Sequence, residues 1–227
     1  MRIRCYLLTL GIGLLAWLGC GKSSDPLVAA AGAGDSTLVE RLLGEGDDPN
    51  RRDRGANALA AAARGGHQAA MRLLLRAGAG PDRPSGHNGW TPLMHAIHKN
   101  QAASISTLLN GGANVNVTCC GGQTALMMAA GYGQTGLVNL LLDRGADPRL
   151  QALYGLSALD LAITGVADID AWTLGSCQTA TVKALLDRAP DMARQASFQS
   201  RAARWMSRPA KCADVMRLLE EPRARRM

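Results

Sequence analysis

The 227-residue chain is 47% hydrophobic and 19% charged, the balance of one ordinary folded domain, which excludes a disordered or collagen-like polymer. Aromatic residues make up 4%, with a single Phe against plentiful Ala, Leu and Gly, so the core has to be built from small aliphatic side chains, and an all-α fold is favoured. The formal charge of +7 lies at the ends: residues 20–190 carry 14 basic and 14 acidic side chains, whereas 191–227 carry nine basic and four acidic, which argues against a basic nucleic-acid face on the body.

At the amino terminus, Arg2 and Arg4 precede a run from Cys5 to Gly19 that is apolar except for Tyr6 and Thr9, the layout of a secretory signal. The run has 15 residues, short of the roughly 20 that span a bilayer as a helix. Ala16-Trp17-Leu18-Gly19-Cys20 resembles the lipobox of bacterial lipoproteins, with Trp17 where Leu is usual. The resemblance implies removal of residues 1–19 and a lipid on Cys20. The chain is then expected to be exported and membrane-anchored facing the periplasm, or secreted where no lipid is added. Gly21 to Ser24 would be a tether shorter than about 20 Å at roughly 3.5 Å per residue.

From residue 25 onward one pattern recurs. In 25–54, Asp25-Pro26-Leu27 leads to Ala29-Ala30-Ala31, Gly34, Leu42-Leu43 and Gly46; in 55–88, Gly55-Ala56-Asn57-Ala58-Leu59 leads to Ala62-Ala63, Gly66, Leu73-Leu74-Leu75 and Gly78. Residues 89–121 open with Gly89-Trp90-Thr91-Pro92-Leu93-Met94-His95-Ala96 and close on Leu108-Leu109 and Gly112. Residues 122–154 run from Gly122-Gln123-Thr124-Ala125-Leu126 to Leu140-Leu141-Leu142 and Gly145. Residues 155–190 run from Gly155-Leu156-Ser157-Ala158-Leu159 to Leu185-Leu186, with about 11 extra residues near 166–176 that include Trp172. The leading leucines 27, 59, 93, 126 and 159 are spaced by 32, 34, 33 and 33. Residues 191–227, with Phe198, Trp205, Leu218 and Leu219, read as a degenerate sixth unit or cap and a basic tail.

The period and the phrase Thr91-Pro92-Leu93-Met94-His95-Ala96 resemble the ankyrin repeat. The resemblance implies an all-α solenoid of about five repeats plus a degenerate C-terminal cap, each a helix-turn-helix unit joined to the next by a hairpin-like loop. Thr91, Thr124 and Ser157 are expected to cap first helices, with Pro92 in a first turn. The leucine triplets are expected to be buried by second helices. Gly46, Gly78, Gly112 and Gly145 are expected to end those helices in left-handed turns.

Ankyrin stacks bind through hairpin tips and exposed first-helix positions on a concave strip. Carried onto this chain, those positions are Asp53, Arg54, Ala56, Arg64, His87, Asn88, Trp90, His98, Lys99, Gln123, Tyr132, Leu153, Tyr154 and Leu156. Trp90, Tyr132 and Tyr154 lead this set, since Trp and Tyr dominate interface energies. The competing reading is that they cover neighbouring repeats.

His95 and His98 share a helix face, but without a cluster of further ligands they read as packed histidines and not a metal site. Cys177 and Cys212 both fall near starts of second helices in adjacent units, so a bridge between them is geometrically plausible. Cys119 and Cys120 are open between a strained pair, a bridge to another molecule and two thiols. No nucleophile elbow, zinc-protease helix, phosphate loop or dinucleotide fingerprint stands in context, so the chain is expected to be no enzyme, with no cofactor and no small-molecule substrate. The function expected is an envelope-tethered module that binds a partner protein. Bacterial ankyrin-repeat proteins that it resembles act in stress protection or as immunity factors. The alternative is electrostatic binding of a membrane surface or nucleic acid through the basic tail, of which nucleic acid is not expected for an exported chain.

Overall fold

The computed structural model describes residues 25–86, 88–165, 178–193 and 213–220. Helices come in pairs: α1 (Pro26–Ala33) with α2 (Ser36–Gly44), α3 (Ala58–Gly65) with α4 (Gln68–Arg76), α5 (Pro92–His98) with α6 (Ala102–Asn110), α7 (Ala125–Gly131) with α8 (Thr135–Asp143), and α9 (Ala158–Thr164) with α10 (Thr179–Arg188). A further helix, α11 (Ala213–Glu220), packs on α10. The first helices α1, α3, α5, α7 and α9 stack in succession, and behind them α2, α4 and α6 and then α8 and α10 form a second layer. This is the all-α solenoid that the resemblance to ankyrin repeats implied. The signal segment, Cys20, the insertion near 166–176 with Trp172, the Cys177–Cys212 pairing and the basic tail lie outside the described residues.

Each first helix starts on a side chain that accepts from the helix's own amides. Thr91, Thr124 and Ser157 do so as expected, and Asp25 and Asn57 hold the same place in repeats one and two. In repeat five the cap is reciprocal: the Ser157 amide donates to Asp160 Oδ2 at 2.8 Å while the Asp160 amide donates to Ser157 Oγ at 3.3 Å, closing a capping box. The leading leucines are all at most 2% exposed. The fully buried alanines Ala31, Ala62, Ala63, Ala96, Ala129, Ala130 and Ala162 let neighbouring first helices approach closely.

The leucine triplets are only partly buried, which corrects the expectation. Leu74 is buried while Leu73 and Leu75 are half-buried, and Leu140 is half-buried beside buried Leu141 and Leu142. Consecutive residues on a helix point about 100° apart, so three in a row cannot share one face. The second helices of repeats one to four end as expected, with φ of 97°, 90°, 90° and 86° at Gly46, Gly78, Gly112 and Gly145, a left-handed turn free of side-chain clash in glycine. Repeat five has Ala189 there, and it takes φ −140° instead.

Polar side chains then tie one repeat to the next. Asn50 Nδ2 donates to the Gly78 carbonyl at 2.9 Å and its Oδ1 accepts from Gly80 N at 2.8 Å. Asn116 repeats both bonds one pair of repeats on, with Gly145 at 3.1 Å and Asp147 N at 2.8 Å. Asn57 caps α3 through Ala60 N at 2.8 Å and donates to the Arg83 carbonyl at 3.1 Å. Because Asn57 is buried, Asn57→Ala should cost about 1–2 kcal/mol. Asn57→Asp, which retains the cap and loses the donor, should fall between; urea denaturation of the three proteins checks the order.

Candidate protein-binding face

Between repeats the chain turns outward in fingers. Each is numbered by the repeat it leads into, so the first of them, finger two, is a two-stranded hairpin, β1 (Arg52–Asp53) with β2 (Ala56–Asn57), with Arg52 opposite Asn57 and Asp53 opposite Ala56. The later ones keep a single bridge each, Ser85 with Trp90, Thr118 with Thr124 and Gln151 with Ser157. The tip of finger two is Arg54-Gly55, with φ of 49° and 86°. Both central residues of such a turn need positive φ, a place where glycine or asparagine is at home. Finger four puts Gly121-Gly122 there, with φ 71° and 80°, but finger five puts Tyr154-Gly155, with φ 62° and 71°.

Tyr154 is therefore a bulky aromatic held in a left-handed conformation, and 91% of its surface is exposed; Leu153 beside it is 62% exposed. These two are the exposed large hydrophobic residues of the described chain. Arg54, Arg64 and Asn88 are exposed as well, whereas Asp53, Ala56, Lys99, Gln123 and Leu156 are half-buried. His87 lies outside the described residues.

Trp90 and Tyr132 occupy a different setting. Both are half-buried and pack against the core, and His98 joins them. Its ring centroid lies 5.2 Å from that of Trp90 and 5.9 Å from that of Tyr132, and its Nδ1 stands 3.0 Å from the Tyr132 hydroxyl. The rings of three expected site residues thus form one continuous surface across repeats three and four.

His95 also lies against Trp90, at 5.5 Å between centroids, with Nε2 3.4 Å from the Ser85 carbonyl. Burial holds its pKa below the ordinary histidine range, opposed by the Ser85 carbonyl and reinforced by the nearby charges of Arg64 and His98. A neutral His95 thus contributes stability that is complete above the ordinary histidine pKa and is lost as pH falls through the lowered folded value. Thermal midpoints should drop on acidification from pH 7, and less steeply in His95→Gln; equal slopes would show that another group titrates.

Cys119 and Cys120 are both thiols, with Sγ atoms 3.1 Å apart. Burial, followed by the hydrogen bond and charge of Cys120, pushes the Cys119 thiol up to about 12. Among the described residues no group of three or more His, Cys, Asp or Glu could hold a metal ion, and no helix is long and apolar enough to cross a membrane.

Sequence reasoning missed His67 and Gln134, which fix the stacking of first helices. His67 Nε2 lies 3.1 Å from the Gly32 carbonyl and Gln134 Nε2 donates to the Ile97 carbonyl at 3.2 Å. Their recurrence at the start of second helices was the available signal.

Stacked helix pairs that project a row of outward fingers make a scaffold for binding proteins. Two family profiles, described as ankyrin repeats (3 copies) and ankyrin repeats (many copies), match residues 27–119 and 108–162 respectively, together more than half of the chain. The chain belongs to the ankyrin-repeat family, and its repeats constitute a protein–protein interaction module. It is also similar to the glycerophosphocholine phosphodiesterase gde1 of Schizosaccharomyces pombe, 37% identical over 102 residues, which is 44% of this chain and 9% of that protein. The chain thus covers under a tenth of that relative's length. This relative overturns the expectation that the chain is no enzyme: it is named as a phosphodiesterase, so a sequence like this one occurs within an enzyme, and missing catalytic motifs do not exclude activity.

Proposed function

We propose that this chain is exported, held at a membrane by a lipid on Cys20, and captures a partner protein of the cell envelope along its finger tips and first-helix strip. The observation that carries the capture is Tyr154, an aromatic residue in a left-handed turn with 91% of its surface exposed. Conformations of this kind cost of order 1–3 kcal/mol and cluster at ligand-contacting sites, and an exposed Tyr is a frequent interface anchor. Leu153 extends the patch, the Trp90, His98 and Tyr132 rings with Gln123 continue the strip, and Arg54, Arg64, Asn88 and Lys99 supply polar contacts further along it. By occupying its partner's surface such a module protects or inhibits it, in stress protection or as an immunity-type inhibitor.

The tether rests on the sequence of residues 1–24, and its test is separate. Wild type and Cys20→Ser should be expressed in a Gram-negative host and compared by intact mass and membrane partitioning. Tethering requires a mature chain that starts at Cys20 with added acyl mass and that Cys20→Ser releases from the membrane. An unprocessed chain in the soluble cytoplasm overturns export.

A further inference from the structure

The tip of finger four carries chemistry that the binding face does not use. Cys119 and Cys120 stand there on a tight turn in which Gly122 N donates to the Cys119 carbonyl at 2.8 Å and Cys119 N donates to the Gln123 carbonyl at 2.9 Å. Their Sγ atoms converge to 3.1 Å, against roughly 2.05 Å in a disulfide. Closing the remaining distance of about 1 Å needs local give in the backbone. Gly121 and Gly122, which follow directly, provide it. The two sulfurs differ in access: Cys120 is exposed and Cys119 half-buried.

We propose that Cys119 and Cys120 are a redox-active dithiol, converted to an intramolecular disulfide by exchange with a small disulfide of the glutathione type. The exposed Cys120, as thiolate, attacks one sulfur of the small disulfide. That S–S bond breaks, a small thiolate leaves and takes a proton from water, and Cys120 is left in a mixed disulfide. Cys119 then gives up its proton to water and attacks Cys120 Sγ, which forms the Cys119–Cys120 bond and expels the second small thiolate, itself then protonated. Overall the dithiol loses two electrons and two protons, and one small disulfide becomes two small thiols. Cys119, held protonated by burial and by its neighbour, is poorly suited to the first attack, whereas the second is intramolecular and needs no encounter.

Nothing in this chemistry depends on the binding reading. The two sites do touch, however. A β-carbon on Gly121 would come within 2.8 Å of Leu153 Cδ1, so Leu153 rests on the turn that disulfide closure would reshape.

The test equilibrates the full chain in buffers of glutathione and glutathione disulfide, traps free thiols by alkylation and weighs the tryptic peptide Asn100–Arg144, whose cysteines are Cys119 and Cys120 alone. With oxidation the wild-type peptide should pass from two alkyl groups to none and become lighter by two hydrogens. Dithiothreitol should reverse this. Cys119→Ser should stop at a glutathione adduct on Cys120, and Cys120→Ser should form its adduct at least about tenfold more slowly. If Cys119→Ser melts early, Cys119→Ala gives the same arm, because finger five has Ala152 at that position. A wild-type peptide that keeps glutathione on either cysteine, that retains both alkyl groups at excess oxidant, or that links to Cys177, Cys212 or a second chain overturns the proposal.

Discussion

Leu141→Ala should destabilise the protein by about 2–5 kcal/mol, the range for deleting a fully buried leucine side chain where the surroundings cannot collapse into the space. Leu141 is 0% exposed in the last turn of α8, with α7 in front of that helix and α10 beside it, so neither layer can move without disturbing another repeat. Leu42, its counterpart in α2, is 9% exposed and has a neighbouring repeat on one side among the described residues. Leu42→Ala should sit at the lower end of the range. Because each repeat is stabilised by its neighbours, the central loss should also separate the unfolding of the two halves. Urea denaturation checks both effects: Leu141→Ala should lower the midpoint and broaden the transition, while Leu42→Ala should lower the midpoint alone.

The second large effect concerns Tyr154. Tyr154→Gly places in finger five the residue that finger four already has at Gly121, where φ is 71° against 62° at Tyr154. Relief of the left-handed strain gains about 1–2 kcal/mol, and the extra freedom of glycine in the unfolded chain takes back about 0.5–1 kcal/mol. The folded protein should therefore be as stable as the wild type or slightly more so. Partner capture should fall by about 30-fold, the equivalent of the roughly 2 kcal/mol that marks an interface anchor. A residue kept only for folding would give the opposite pair of results, lower stability with capture unchanged. Denaturant midpoints and the yield of the captured complex separate the two.

Much of this structure was legible in the sequence. The spacing of the leading leucines located the five repeats, and Thr91, Thr124 and Ser157 located three of the caps, because period and capping are local properties. The polar ties made by Asn50, Asn116, His67 and Gln134 were not legible. Each reaches a backbone group about 30 residues away, and its meaning appears only once neighbouring repeats are stacked. The same holds for the aromatic set. On sequence Trp90, Tyr132 and Tyr154 looked equivalent, yet Trp90 and Tyr132 share a half-buried surface through His98 while Tyr154 stands exposed at a tip.

The strain at Tyr154 could have been read in advance. Aligning Gly55, Gly122 and Gly155 puts Arg54, Gly121 and Tyr154 in one column, and glycine in that column marks a left-handed position. The leucine triplets went wrong for a simpler reason, since three consecutive helical residues point three ways. The exclusion of enzymatic activity failed because it rested on missing motifs, and similarity to a short stretch of a protein named as a phosphodiesterase shows how little a repeat segment says about the whole protein that contains it.

The most direct test of the binding face is site-specific photo-crosslinking in living cells that express the full chain. A photoreactive residue would replace Tyr154 or Arg54 on the finger side and, in separate proteins, Arg72 or Asn139 on the exposed surface of the second helices. Capture along the fingers requires one discrete cross-linked protein from positions 154 and 54, absent from positions 72 and 139 and reduced at 54 when Tyr154→Gly is also present. Equal products from both sides, or a product from the second helices alone, would contradict it.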